Sequence, residues 1–367
     1  MEHLILAVNP GSTSTKIGLF RNEEVIFTQT IEHPADELAK FPDIPSQREF
    51  RQSFVMKALE ENNVSPKNLA GVVGIGGLMP VLETGGYLVN QPVLDWVTAE
   101  KGGAHASNLG ALLANLIANQ AGCDAYIYDA VSAGKLPEIA AITGFPEIRR
   151  RSLSHVLNSR AQAIEFAKKS GKKFEDLNLI IAHIGGGISL SAYEKGVIID
   201  SFGDDLGPFS PERAGVAPLM DFVELFYDSG LEKRALKRKM RGAGGIMAHL
   251  GTTDMRLVEE KIQNGDKKAE AVLHAMCYNI AKAAGSLAVA LCGNVDNIIL
   301  TGGVAKSALI TSLIAGRIKF IAPVEIMPGE YELEALAAGC LRLINGEEKK
   351  KIMTSVTDDG FAVTEYK

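Results

Sequence analysis

Two segments of this chain, roughly one domain length apart, carry the same punctuation: an apolar strand runs straight into small hydrogen-bonding residues. The first is Leu4-Ile5-Leu6-Ala7-Val8-Asn9-Pro10-Gly11-Ser12-Thr13-Ser14-Thr15-Lys16, and the second is Leu179-Ile180-Ile181-Ala182-His183-Ile184-Gly185-Gly186-Gly187-Ile188-Ser189-Leu190-Ser191. Each leads into a further apolar run, Ile17-Gly18-Leu19-Phe20 and then Val197-Ile198-Ile199-Asp200. The pattern predicts two β-hairpins whose turns offer backbone N–H groups and hydroxyls to an anion. Facing one another across a cleft, such turns would hold a polyphosphate from both sides. That constrains the chain to a duplicated α/β fold and points to nucleotide-dependent phosphoryl transfer.

The rest of the chain follows the duplication. Strands are predicted at 3–9, 15–20, 24–31, 71–75, 125–129, 178–184, 188–193, 196–201, 297–301 and 321–327, from β-branched runs bounded by Gly, Pro and Asn. Helical periodicity covers 47–62, 104–121, 154–170, 218–229, 231–241, 254–264, 267–292 and 332–346. Three strands followed by alternating helices and strands thus occur twice. With 367 residues the chain has room for two cores. The expected domains are 1–150 and 151–331, with 332–367 packing back onto the first and the charged tail after Glu347 loosely ordered in part.

The net charge of −6 gives no electrostatic reason to expect a nucleic-acid or anionic-membrane partner. The basic segment Lys233-Arg234…Lys237-Arg238-Lys239…Arg241 has no aromatic platform after it and is expected to be a solvated helix. Cys123, Cys277, Cys292 and Cys340 are widely spaced, as buried reduced thiols are. The first apolar run is broken by Asn9-Pro10-Gly11, too soon for a membrane span or signal peptide, so a cytoplasmic location is expected.

Several residues carry candidate chemistry. In the first turn Asn9, Ser12 and Ser14 alternate around Gly11, and Lys16 adds a point charge at the edge. Three successive glycines, Gly185, Gly186 and Gly187, weaken a hairpin unless something needs the backbone bare, and a phosphate would. His183 either donates to that phosphate or caps the turn. Leu300-Thr301-Gly302-Gly303-Val304-Ala305-Lys306 is a third glycine turn, opening a helix and suited to a phosphate or a nucleoside. Asp129 ends a strand, where a carboxylate holds Mg²⁺, orients an acceptor, or forms a structural ion pair. Arg213, on a Pro- and Gly-bounded loop, suits equatorial phosphoryl oxygens, with a structural ion pair as the alternative.

Val8-Asn9-Pro10-Gly11-Ser12-Thr13-Ser14-Thr15-Lys16, His105-Ala106-Ser107-Asn108-Leu109-Gly110, Ala182-His183-Ile184-Gly185-Gly186-Gly187-Ile188-Ser189 and Gly207-Pro208-Phe209-Ser210-Pro211-Glu212-Arg213 resemble the butyrate kinase branch of the acetokinase family. The resemblance runs in order from residue 3 to about residue 347. It implies two ribonuclease-H-like (actin-like ATPase) domains, each a five-stranded sheet flanked by helices, with ATP and Mg²⁺ in the cleft between them. It also implies phosphoryl transfer from ATP to a short-chain carboxylate such as butanoate, and at least a homodimer. By the same resemblance Asp129, His155 and Arg213 are catalytic, and Asn9 and Glu332 belong to the metal site, with Glu334 competing for the match. Ser12, Ser14, Lys16, His183, Gly185, Gly186 and Gly187 contact phosphates. Asp254, Arg256, Gly302, Gly303 and Lys306 fall beside the nucleoside.

Three departures stand on the acyl side. Gly74-Ile75-Gly76-Gly77 replaces the family's Gly/Ser-Arg-Gly-Gly, Ala130-Val131-Ser132-Ala133-Gly134-Lys135 replaces Pro-Val-Val-x-Asp/Glu, and Leu206 stands where an Asp usually precedes Gly-Pro-Phe. Loss of a charge-assisted pair costs about 2–5 kcal/mol. Three readings follow: a carboxylate kinase in which Lys135 or one of Arg149, Arg150 and Arg151 replaces the lost arginine, a kinase for another acceptor, or a nucleotide-binding protein without efficient chemistry.

Overall fold

The computed structural model describes residues 2–203 and 206–367. Its strands are β1 (Leu4–Pro10), β2 (Ser14–Arg21), β3 (Glu24–Glu32), β4 (Gly71–Ile75), β5 (Gly86–Leu88) and β6 (Asp124–Tyr128). There follow β7 (Asn178–Ile184), β8 (Ile188–Glu194), β9 (Val197–Phe202), β10 (Asn297–Gly302) and β11 (Val324–Pro328), and finally β12 (Lys351–Val356) and β13 (Ala362–Tyr366). The chain divides into two compact units, Met1–Lys135 with Tyr331–Lys367, and Leu136–Glu330. The division comes before the arginine run 149–151. Gly134 N–H still bonds Leu82 O at 2.9 Å, whereas Arg150 pairs with Asp200 at 2.7 Å and so belongs with the second unit.

The second unit's sheet has the order β11-β10-β7-β8-β9, and the first contains the same motif as β6-β4-β1-β2-β3. In each, two antiparallel pairings follow one another along the chain and two parallel pairings join strands separated by helices. The duplication predicted from the two hairpins is therefore present in the pairing itself. The antiparallel turns obey local chemistry: Lys195-Gly196, both at positive φ, closes β8 and β9, as a two-residue hairpin of the I′ kind requires.

The first sheet differs from the five strands expected. It has eight, because β5 joins β6 antiparallel and β12-β13 extends the edge beyond β5. The tail after Glu347 is thus an ordered hairpin rather than a loose end. Lys351, buried, donates through Nζ to Thr84 O at 2.8 Å, and Tyr87 Oη meets Thr364 Oγ1 at 3.1 Å. Helix Glu332–Asn345 packs on β1, β2 and β4 and ends at Gly346, whose φ of +74° suits the left-handed C-cap.

Helix Leu109–Ala121 covers the other side of β4 and β6, its Ala/Leu face buried. In the second unit the 24-residue helix Lys267–Ala290, capped by Asp266 through Ala269 N–H at 3.0 Å, packs on β7, β8 and β9. Its Leu273, Met276, Ile280 and Leu287 are fully buried beside Ile180, Leu190 and Leu300, the apolar burial that stabilises the unit. Among the described residues no helix is long and apolar enough to cross a membrane. Helix Leu219–Asp228 buries none of its residues.

Candidate active site

In the first unit the carboxyl ends of β1, β4 and β6, joined by parallel pairing, bring Asn9, Ile75 and Asp129 to one edge of the sheet. Such an edge is where open α/β sheets bind ligands. Asn9 Nδ2 donates to Glu332 Oε2 at 2.5 Å, so of the two competing carboxylates Glu332 is the one held there. Residues 11–14 form the turn between β1 and β2, closed by Gly11 N–H to Ser14 O at 2.8 Å, with Ser12 exposed and Ser14 half-buried. Lys16 lies opposite Asn9 in register and is exposed.

A residue absent from the sequence reading holds this turn from beneath. Arg51, on helix Arg48–Glu61, is 1 % exposed. Its Nη1 donates to Gly11 O (2.8 Å) and Ser14 O (2.9 Å), and its Nη2 donates to Ser12 O (2.9 Å). Gln47 Oε1 accepts from Nε at 3.1 Å and from Nη2 at 2.9 Å. The guanidinium thereby fixes three carbonyls inward, which leaves the outer side of the turn to its amides and hydroxyls. Burial lowers the Arg51 pKa to about 10, still far above neutrality.

Asp129 is buried and has a φ of +40°, a left-handed conformation that costs a non-glycine residue about 1–3 kcal/mol. Its Oδ1 accepts from Gly85 N–H at 2.6 Å and its N–H donates to Gly85 O at 3.1 Å. The Gly74-Ile75-Gly76-Gly77 run has a packing reason. A β-carbon on Gly74 would overlap Gly110 O, and one on Gly77 would overlap Asn108.

In the second unit β7 ends at His183 and Ile184, and β10 ends beside them. The imidazoles of His155 and His183 stack, centroids 4.0 Å apart and planes 14° from parallel. Ser189, opposite His183 in register, holds His155: its Oγ lies 2.8 Å from Nδ1 and 3.1 Å from the backbone N. Asn158 Nδ2 lies 2.8 Å from His183 Nδ1. Burial first and then Arg213 lower the His155 pKa to about 4. Burial, His155 and Arg213 hold His183 well below its ordinary value as well. Both rings are neutral at pH 7.

The glycine turn is bare for a reason the sequence did not reveal. A β-carbon on Gly187 would overlap the Arg213 guanidinium, so the arginine itself occupies that space. The loop carrying it is clamped to the turn by Ser210 Oγ donating to Gly186 O at 2.7 Å. Burial lowers the Arg213 pKa, with Arg241 adding to the effect. Gly302 has a φ of +91° and lies against Ile184 backbone, while Gly303 and the exposed Lys306 form the short 3₁₀ turn Gly303–Lys306. Glu330, which the sequence reading also omitted, places Oε1 3.6 Å from His183 Nε2.

Other candidates are engaged elsewhere. Asp254 caps helix Met255–Gln263 and forms a bidentate pair with Arg256, at 3.0 and 2.7 Å. That pairing lowers the Asp254 pKa to about 2. Arg149 is bidentate to Glu138, Arg150 holds Asp200, and Lys135 Nζ lies 5.2 Å from the Phe361 ring centroid. Of the cations expected to replace the missing arginine (Lys135, Arg149, Arg150 and Arg151), Arg149 and Arg150 have carboxylate partners in this structure.

Among the described residues no three His, Cys, Asp or Glu side chains converge as an all-protein metal cage. The Asn9–Glu332 pair instead suits Mg²⁺, which takes one or two carboxylates and keeps water and substrate phosphate oxygens as its other ligands.

Residues 150–364 match the sequence profile of the Acetokinase family. "Butyrate kinase 1" of Clostridium acetobutylicum is 43% identical over 349 residues, 95% of this chain and 98% of that protein. "Probable butyrate kinase" of Coprothermobacter proteolyticus is 42% identical, covering 96% and 99%. Among solved structures, acetate kinase from Porphyromonas gingivalis superposes with a TM-score of 0.78 at 18% identity, covering 94% of this chain and 100% of that one. A propionate kinase from Francisella tularensis gives 0.73 at 17% identity, covering 92% and 98%. At such identities the structures speak for the fold.

Proposed function

This chain belongs to the acetokinase family, and on that premise we propose that it phosphorylates a short-chain carboxylate with ATP, giving an acyl phosphate and ADP, with butanoate as the acceptor. The observation that carries the reading is the grouping of His155, His183 and Arg213 around the glycine turn 185–187. It combines one fixed guanidinium with two neutral donors, the set that stabilises charge on three equatorial phosphoryl oxygens.

The carboxylate oxygen forms a bond to the γ-phosphorus as the bond from phosphorus to the bridging oxygen of ADP breaks. The acceptor is ionised at pH 7, so no proton moves and no general base is needed. Arg213 and the two imidazoles meet the charge on the transferring group. Turn 11–14, with Lys16, and turn 185–187 bind phosphates, while Gly303 and Lys306 lie at the nucleoside. Asp129 orients the acceptor from its fixed position on Gly85. Asn9 and Glu332 would hold Mg²⁺, which when bound neutralises charge on the nucleotide phosphates. Four free cysteines agree with work in a reducing cytoplasm. A homo-oligomer is supported by the unburied apolar side chains Leu219, Met220 and Tyr227, each more than 60% exposed.

Ile75 favours a second reading, in which the acceptor is not a simple carboxylate. It ends β4 where the resembling family carries an arginine. Hydroxylamine trapping of acyl phosphate with Mg-ATP and acetate through isovalerate decides between them. Product from the unaltered protein, greatest with butanoate, is expected. Product from Ile75→Arg alone would move the natural acceptor elsewhere.

A further inference from the structure

The two stacked imidazoles are each gripped at Nδ1, and the partners at those atoms bear on where the ring protons sit. Thr301 Oγ1 donates to Gly329 O at 3.4 Å and therefore accepts from Asn158 Nδ2 at 3.3 Å. That orients the Asn158 amide with its NH₂ toward His183, so Nδ1 of His183 accepts and the ring proton lies on Nε2. Ser189 works similarly. Its oxygen accepts the His155 N–H at 3.1 Å and lies 2.8 Å from Nδ1, where donation of the hydroxyl hydrogen places the ring proton on Nε2. Asn158 and Ser189 are both buried.

The free end of the His183 ring points to the glycine turn. A β-carbon on Gly185 would stand 3.1 Å from both His183 Nε2 and Glu330 Oε1, so Nε2 faces the glycine turn. Glu330 favours a proton on that nitrogen. Two imidazolium rings stacked at 4.0 Å beside Arg213 would repel one another, so both donate as neutral groups.

We propose that Asn158 and Ser189 are positioning residues that lock His183 and His155 as Nε2–H donors aimed at the transferring phosphoryl group. This rests on the kinase reading above for the phosphoryl group, but the tautomers are a property of the protein alone. Asn158 gains a role beyond packing, and Ser189, which holds His155, sits across the strand pair from His183.

The test uses the full chain with ¹⁵N-labelled histidine. Two-bond ¹H–¹⁵N spectra between pH 6.5 and 8, assigned with His155→Gln and His183→Gln, report each ring's tautomer. Nε2–H on both rings is expected in the unaltered protein, and a proton on Nδ1 of either ring would overturn the assignment. Asn158→Leu and Ser189→Ala should each release a tautomer mixture in their own histidine. Each should lower kcat for acyl phosphate formation about 10- to 100-fold, with the ATP KM within about threefold, and Ser189→Thr should restore both spectrum and kcat. Unchanged kcat in variants whose spectra show the mixture would refute the positioning role. If the unaltered protein makes no acyl phosphate from any carboxylate, the kinase reading falls and the positioning role falls with it. The spectra alone still decide the tautomers.

Discussion

The guanidinium of Arg213 lies directly over the bare α-carbon of Gly187, in space that any β-carbon there would fill. The obstruction is the far end of a flexible side chain, so Gly187→Ala should move the arginine rather than unfold the unit. Under the kinase reading kcat falls about 10²–10³-fold, the cost of losing one fixed transition-state donor. Acyl phosphate assays and a thermal melt check this together, and a variant with full turnover would show that Arg213 does not act from that position.

Arg51 offers a second test because it meets its turn only from the inside. Arg51→Lys keeps the charge but cannot reach Gly11, Ser12 and Ser14 carbonyls at once. A loss of about 2–3 kcal/mol is expected from bonds to a charged donor, with a tenfold or greater rise in ATP KM. Urea unfolding followed by Trp96 fluorescence reads the first unit by itself, since this is the chain's one tryptophan and it sits there, bonded to Leu78 O at 2.9 Å. Unchanged stability and KM would reduce Arg51 to a bystander.

His33 sets a pH dependence. Its Nε2 meets Thr15 Oγ1 at 2.8 Å, and burial, aided by Arg51, lowers its pKa from 6.5 to about 4. The folded state therefore keeps the ring neutral while the unfolded chain takes up a proton below pH 6.5. Stability is full above that pH and falls as pH drops toward 4, by at most about 1.4 kcal/mol per pH unit for one proton. The Trp96 urea midpoint of His33→Asn should vary less between pH 6.5 and 5 than that of the unaltered protein. Parallel curves would contradict the assignment.

The β12-β13 hairpin predicts a cost for truncation. Ending the chain at residue 349 removes Lys351 from Thr84 and Thr364 from Tyr87, and strips the cover from the β5 edge. The Trp96 transition should shift to lower urea by an amount readily measured. A truncated protein of undiminished stability would show the hairpin to be ornamental.

The sequence made the two hairpins legible because glycines and hydroxyls interrupt strong apolar strands at matching places, and the paired sheets follow from that. His183 and Arg213 stand out in motifs whose residue types suit phosphate, Asp129 as a carboxylate at a strand end, and His155 only through the family resemblance. Arg51 does not stand out, since it lies in a polar helix that reads as solvated, and only the fold brings three carbonyls to it. Strand β5 is three residues long, too short for any period to register. The β12-β13 hairpin was missed because its partners, Thr84, Tyr87 and Asn90, lie more than 250 positions away, and no local pattern records them. The triple glycine reads as room for a phosphate, and Gly187 in addition makes room for Arg213.

The first unit is assembled from both ends of the chain, with the second unit's residues between them. On the ribosome β1, β2 and β4 emerge early, yet helix Glu332–Asn345, which packs on them, is made only after the whole second unit. The second unit can fold as it emerges, while the first waits for that helix with an apolar sheet face uncovered. Biosynthesis thus imposes an interval in which chaperone protection matters most.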